Sequence, residues 1–171
     1  MVEKSLEALV GEKLRELGMR LATAESCTGG LLAHRLTNVP GSSDYYLGGV
    51  VSYANEAKLR LAGVRPETLE KHGAVSQATV LEMARGVRLA LDAHIGVSIS
   101  GVAGPGGGTP AKPVGTTWIG LSAPGCEQAW HFVWEGDRLH NKERSAQMAL
   151  ELLAEYLNSQ IGVMKGNQGQ A

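Results

Sequence analysis

Leu6, Leu9, Val10, Leu14 and Leu17 recur at helical spacing, and Gly18 follows them as a stop signal, so the first predicted element is an amphipathic helix. "MRLATAE" (19–25) reads as a short buried strand. A helix over about 29–37 follows, closed by the Pro-Gly loop "NVPGSS". "YLGGVVSYA" is a second strand, and "NEAKLRLAG" is a short helix ended by Gly63. "RPETLEKHG" is another short helix, with Pro66 in its first turn. Ser76 is expected to cap a long helix whose Val80, Met83, Ala84, Val87 and Leu91 make one apolar face. "HIGVSISG" is apolar enough for a central strand. It runs into "GVAGPGGGTPAKP", too rich in glycine and proline for regular structure. "VGTTWIGLSA" and "EQAWHFVWEG" predict a hairpin over "PGC". Asp137 is expected to cap a last helix carrying Leu139, Met148, Leu152, Leu153 and Tyr156. From Ser159 onward a mobile tail is expected, giving one domain over 1–158 and a tail over 159–171. Strands alternating with helices predict an α/β chain with helices on both faces of a mixed sheet.

Composition narrows the function classes. A length of 171 residues suits one domain with a proper core. A formal charge of -1 offers no basic field for nucleic acid. No apolar run is long enough to span a bilayer, and the N-terminal stretch is too charged for a signal peptide. Cys27 and Cys126 suit neither a disulfide framework nor a zinc site, so the expected compartment is the cytoplasm. None of the five histidines forms a metal-ligand pair, so neither metal nor cofactor is expected.

Sites in open α/β sheets gather beyond the carboxyl ends of the strands. Three such ends carry polar residues: Ser26–Thr28, Tyr53–Lys58 and Ser100–Gly108. Each has a plain structural reading beside the chemical one. Ser26 or Thr28 caps the next helix, or Ser26 is a nucleophile at a helix N-terminus whose free N–H groups hold an oxyanion. Lys58 is a solvated charge, or a base with a depressed pKa that stands in for the missing histidine. "SGVAGPGGG" lacks the Walker ending; it is a surface crossover, or a cradle whose N–H groups meet an anion. Cys27 is a rival nucleophile, because a helix N-terminus lowers a thiol pKa.

In order and spacing, "TAESCTGG", "VVSYANEAK", "HGAVS", "SISGVAGPGGGTPAKPVGT" and "GDR" resemble the competence/damage-inducible protein C-terminal domain family. The resemblance runs from Leu6 to Leu157 and looks like the stand-alone form. It implies a three-layer α/β/α sandwich on a mixed, mostly parallel sheet. It also implies hydrolysis of nicotinamide mononucleotide to nicotinate mononucleotide and ammonia, through a serine matching Ser26, a lysine matching Lys58 and a helper tyrosine matching Tyr53. Ser100 matches the polar residue before the glycine loop, and Arg138 the arginine of "GDR". Lys142 stands where a further arginine is expected, which leaves Arg138, Lys142 and Arg144 as alternatives for the phosphate. Backbone N–H groups from Cys27 through Thr28, Gly29 and Gly30 are expected to hold the oxyanion. The glycine loop, with Gly101 and Gly104, is expected to meet the ribose phosphate. The partner is the small-molecule substrate, and the apolar hairpin together with the resemblance suggests a homodimer. The competing readings are an amidohydrolase for another small amide and a non-catalytic binding domain of the same fold.

Overall fold

The computed structural model describes residues 4–168. Its strands are β1 (Leu21–Glu25), β2 (Tyr46–Val51), β3 (Ile95–Gly101), β4 (Thr116–Ala123) and β5 (Cys126–Val133), in the order β2-β1-β3-β4-β5. β1 pairs in parallel with both β2 and β3, whereas β4 runs antiparallel to both of its neighbours, β3 and β5. The sheet is therefore mixed, parallel around β1 and closed on one side by the expected hairpin. Helix α1 (Leu6–Leu17), α2 (Leu31–Thr37) and α6 (Arg138–Gln168) cover one face. Their core includes Val10, Leu14, Leu32, Leu36, Leu150 and Leu153, packed on Val97, Ile99 and Leu121. On the other face lie α5 (Gln77–Ala90) and the short α3 (Asn55–Leu61) and α4 (Pro66–His72). Met83 and Val87 of α5 meet Ala22 and Ala24 of β1 there. The expected three-layer α/β/α sandwich is present.

Local signals explain most boundaries. Gly18 ends α1 in the left-handed region at φ 62°, and the Ser76 hydroxyl accepts from Thr79 N at the start of α5. Asp137 Oδ1 accepts from His140 N at 2.9 Å and caps α6. Three apolar positions depart from expectation. Leu9 and Leu139 are exposed, and Leu91 lies exposed just past the end of α5. Helix α6 also runs on to Gln168, so residues 159–168 of the expected tail are helical. Ile161 and Met164, three residues apart and half-buried, continue its apolar stripe, and Lys165 Nζ pairs with Glu16 of α1 at 3.5 Å. Residues 169–171 lie outside the described residues. No helix among the described residues is long and apolar enough to cross a membrane.

Parallel register positions the polar strand ends. Glu25 is level with Val51 on one side and Ile99 on the other, so Ser26, Ser52 and Ser100 each follow at the carboxyl edge of the sheet. Ser26 N donates to Ile99 O at 2.9 Å, and Ser52 N donates to Glu25 O at 2.8 Å. The ladder thus fixes the backbone of Ser26 between its two neighbours.

Candidate active site

Beyond those strand ends lies a cleft of about 290 Å³, at the small end for ligand pockets. Ser26, Tyr53, Lys58, Ser100 and Arg138 line it, together with Gly101, Gly104 and Cys27. Sequence positions 26 to 138 converge here because β1, β2 and β3 end on one edge and α6 begins beside them.

Lys58 sits in α3, which follows β2, and is only 1% exposed. Its Nζ donates to Ser26 Oγ at 2.9 Å, to Ser52 O at 2.9 Å and to Tyr53 O at 3.3 Å. Among the described residues no carboxylate pairs with it, and burial pulls its pKa below the ordinary lysine value. In the charged form all three N–H groups are taken by these acceptors; in the neutral form two still donate to the carbonyls and the lone pair faces Ser26 Oγ. A buried serine facing such a nitrogen can lose its proton to it.

The turn after β1 is held in an unexpected way. Neither Ser26 nor Thr28 caps α2. The Glu25 carboxylate does, accepting from Gly30 N at 3.2 Å, Leu32 N at 3.0 Å and Ala33 N at 2.8 Å. Glu25 is 1% exposed, so its charge is satisfied by helix N–H groups instead of water. Gly29 and Gly30 adopt φ of 62° and 97°, which lets the chain turn tightly enough for this cap. Gly29 N in turn donates to Ser26 O at 3.0 Å. Of the N–H groups expected to face an oxyanion, those of Gly29 and Gly30 are thus engaged. Among the described residues those of Cys27 and Thr28 donate to no other residue.

Cys27 is buried, and that burial, with the Glu25 charge nearby, pushes its thiol up to about 11 against the opposing pull of Lys58 and Lys142. The helix N-terminus that was to activate it is already taken by Glu25. Cys27 therefore stays a thiol at neutral pH.

The remaining expected residues divide. Ser100 is buried, lines the cleft and donates to Ala74 O at 2.7 Å. Arg138 donates through Nη1 to Gly104 O at 2.7 Å and through Nη2 to Tyr53 Oη at 2.6 Å. Tyr53 thus meets Lys58 through its carbonyl, while its phenol stands at the cleft mouth against Arg138. Thr28, Gly29 and Gly30 do not line the cleft, and the buried Thr28 Oγ1 has no partner among the described residues. Lys142 reaches the Gly29 turn, its Nζ 3.8 Å from where a side chain there would begin. Arg144 lies over the Trp134 ring, 5.4 Å from its centroid, and lines a separate depression with Arg35 and His140. Of the three cations, Arg138 lines the cleft. Among the described residues no cluster of His, Cys, Asp and Glu could hold a metal ion.

A "CinA-like protein" of Salinibacter ruber is 52% identical over 147 residues, covering 86% of this chain and 36% of that protein. Another, of Chloroherpeton thalassium, is 50% identical over 158 residues, covering 90% and 38%. The chain thus spans less than two fifths of the length of these curated relatives. The crystal structure of the competence damage-inducible protein A of Klebsiella pneumoniae superposes with a TM-score of 0.86 at 39% identity, over 90% of this chain and 95% of that one. The CinA C-terminal domain family matches residues 3–157, and the chain belongs to that family.

Proposed function

We propose that this chain is an amidohydrolase that converts nicotinamide mononucleotide to nicotinate mononucleotide and ammonia, with Ser26 as nucleophile and Lys58 as its base. The observation that carries the reading is the 2.9 Å contact from Lys58 Nζ to Ser26 Oγ, buried and, among the described residues, without a carboxylate to hold the lysine charged. The substrate comes from the family resemblance, and a small cleft lined by an arginine and a glycine loop suits a compact anionic ligand.

Ser26 Oγ attacks the carboxamide carbon as its proton passes to neutral Lys58. The carbonyl oxygen becomes an oxyanion, and the N–H groups of Cys27 and Thr28 are the donors nearest in sequence without another acceptor. As the C–N bond breaks, Lys58 returns the proton to the leaving nitrogen, and ammonia departs. Water then attacks the acyl ester, giving a proton to Lys58, which passes it back to Ser26 Oγ as the ester C–O bond breaks. Arg138 and the loop around Gly104 receive the ribose phosphate, and in doing so Arg138 exchanges the Tyr53 hydroxyl for the phosphate.

The test is ammonia release from nicotinamide mononucleotide by the purified chain, with and without EDTA. Turnover that survives the chelator and is lost in Ser26→Ala supports the reading. A chain inactive on the nucleotide but active on another small amide would transfer the mechanism to a different substrate. Inactivity on all amides would leave a binding domain.

A further inference from the structure

Two side chains at the start of α6 hold consecutive carbonyls of the glycine loop. Arg138 Nη1 takes Gly104 O at 2.7 Å, and Asn141 Nδ2, one turn later, takes Ala103 O at 3.1 Å and Gly136 O at 3.2 Å. Asn141 is 2% exposed, and its Oδ1 has no partner among the described residues. A buried amide oxygen without a donor destabilises the fold, so what this side chain contributes lies in the two bonds of Nδ2. Those bonds fasten the loop to the turn that begins α6. At the far end of the loop, Lys112 Nζ donates to His72 O at 2.9 Å. Between the two fastenings Gly104, Gly106 and Gly107 border the cleft, and among the described residues their N–H groups have no protein acceptor. Because a peptide plane sets C=O and N–H on opposite sides, holding Ala103 O at Asn141 turns the Gly104 N–H away from that side chain. Pro105 has no N–H, so the free donors are Gly104 on one side of it and the adjacent pair Gly106 and Gly107 on the other, where successive free N–H groups in a turn make an anion cradle.

We propose that Asn141 is a positioning residue: it fixes the Ala103–Gly104 peptide so that the glycine loop is already shaped for the phosphate of the substrate. This rests on the amidase reading above for its substrate, but not for the fastening itself. Asn141 touches neither Ser26 nor Lys58, so its loss acts on binding and leaves the chemical step nearly intact.

The experiment uses Asn141→Leu, which keeps the volume and removes both polar atoms, and Asn141→Asp, which keeps the shape and removes the donor. Both are measured on nicotinamide mononucleotide and on nicotinamide riboside, beside amide hydrogen exchange across residues 102–114. KM for the nucleotide rises tenfold or more, kcat stays within about threefold, kinetics on the riboside do not change, and loop amides exchange faster than in the parent chain. An equal loss on both substrates, or unchanged KM for the nucleotide, overturns the proposal; so does unchanged loop exchange. Should one variant fail to fold, the other decides. A parent chain inactive on the nucleotide removes the amidase reading alone, and the fastening is then judged by the exchange rates.

Discussion

Glu25→Gln is the most informative single change outside the catalytic pair. The carboxylate holds three helix N–H groups, two on Oε2 at 3.2 and 3.0 Å and one on Oε1 at 2.8 Å, in a fully enclosed position. A glutamine amide oxygen replaces Oε2 and keeps two weaker, neutral bonds. Its NH₂ then faces Ala33 N–H, donor against donor. Losing one charge-assisted bond and leaving a buried donor unpaired costs about 2.5–6 kcal/mol, on typical values of 1.5–3 for the bond and 1–3 for the orphan. Against a total stability of roughly 5–15 kcal/mol this is a large fraction. At about 2–4 °C per kcal/mol for a chain of this size, the midpoint of thermal unfolding falls by roughly 5–24 °C. Urea unfolding should show the same loss with an unchanged slope. Because the cap shapes the turn that carries Ser26, kcat should fall as well. A midpoint within about 2 °C of the parent chain and unchanged kcat would show that Glu25 does not organise this turn.

Other outcomes follow from the same geometry. Lys58 acts as base only when neutral, and burial lowers its pKa, so kcat/KM should rise with pH to a plateau, with a midpoint below the free-lysine value of about 10.4. A midpoint at or above that value, or a rate that falls as pH rises, would contradict the assignment. Arg138→Ala should raise KM for the nucleotide at least tenfold and hardly affect the riboside; equal damage to both would deny it the phosphate. Cys27→Ala should retain most activity, and iodoacetamide should react slowly. A thiol pKa of about 11 leaves roughly one group in 10⁴ ionised at pH 7. Rapid alkylation with loss of turnover would refute that placement.

The apolar rhythm of the chain made α1, α5 and β3 legible, and Gly18, Ser76 and Asp137 marked helix ends as their side-chain and backbone chemistry requires. Convergence of three polar strand ends located the cleft, because parallel strands place their carboxyl ends together. Glu25 escaped notice for a physical reason. A helix cap is sought in a short side chain at the first turn, whereas this carboxylate reaches from the end of a buried strand to N–H groups five to eight residues later. A lone charge at the end of the apolar run "LATAE" was the available signal. Asn141 was equally silent, since its partners lie 38 and 5 residues away and only the fold brings the first of them close. Leu9 and Leu139 fit a helical stripe by spacing, yet each falls at its edge and faces out. The helical start of the expected tail was not legible because Ser159 and Gly162 are weak helix formers, yet both lie inside α6, whose Lys165 pairs with Glu16 of α1.

The central claim is that Ser26, activated by Lys58, forms a covalent acyl intermediate. Rapid acid quench of the chain during turnover of nicotinamide mononucleotide, followed by peptide mass spectrometry, tests it most directly. The account predicts an acyl adduct, the nicotinoyl group with its ribose phosphate or that group after its loss, on Ser26. The adduct should be absent in both Ser26→Ala and Lys58→Met. An adduct on Cys27, or turnover with no acylated residue in a quench fast enough to trap one, would contradict it.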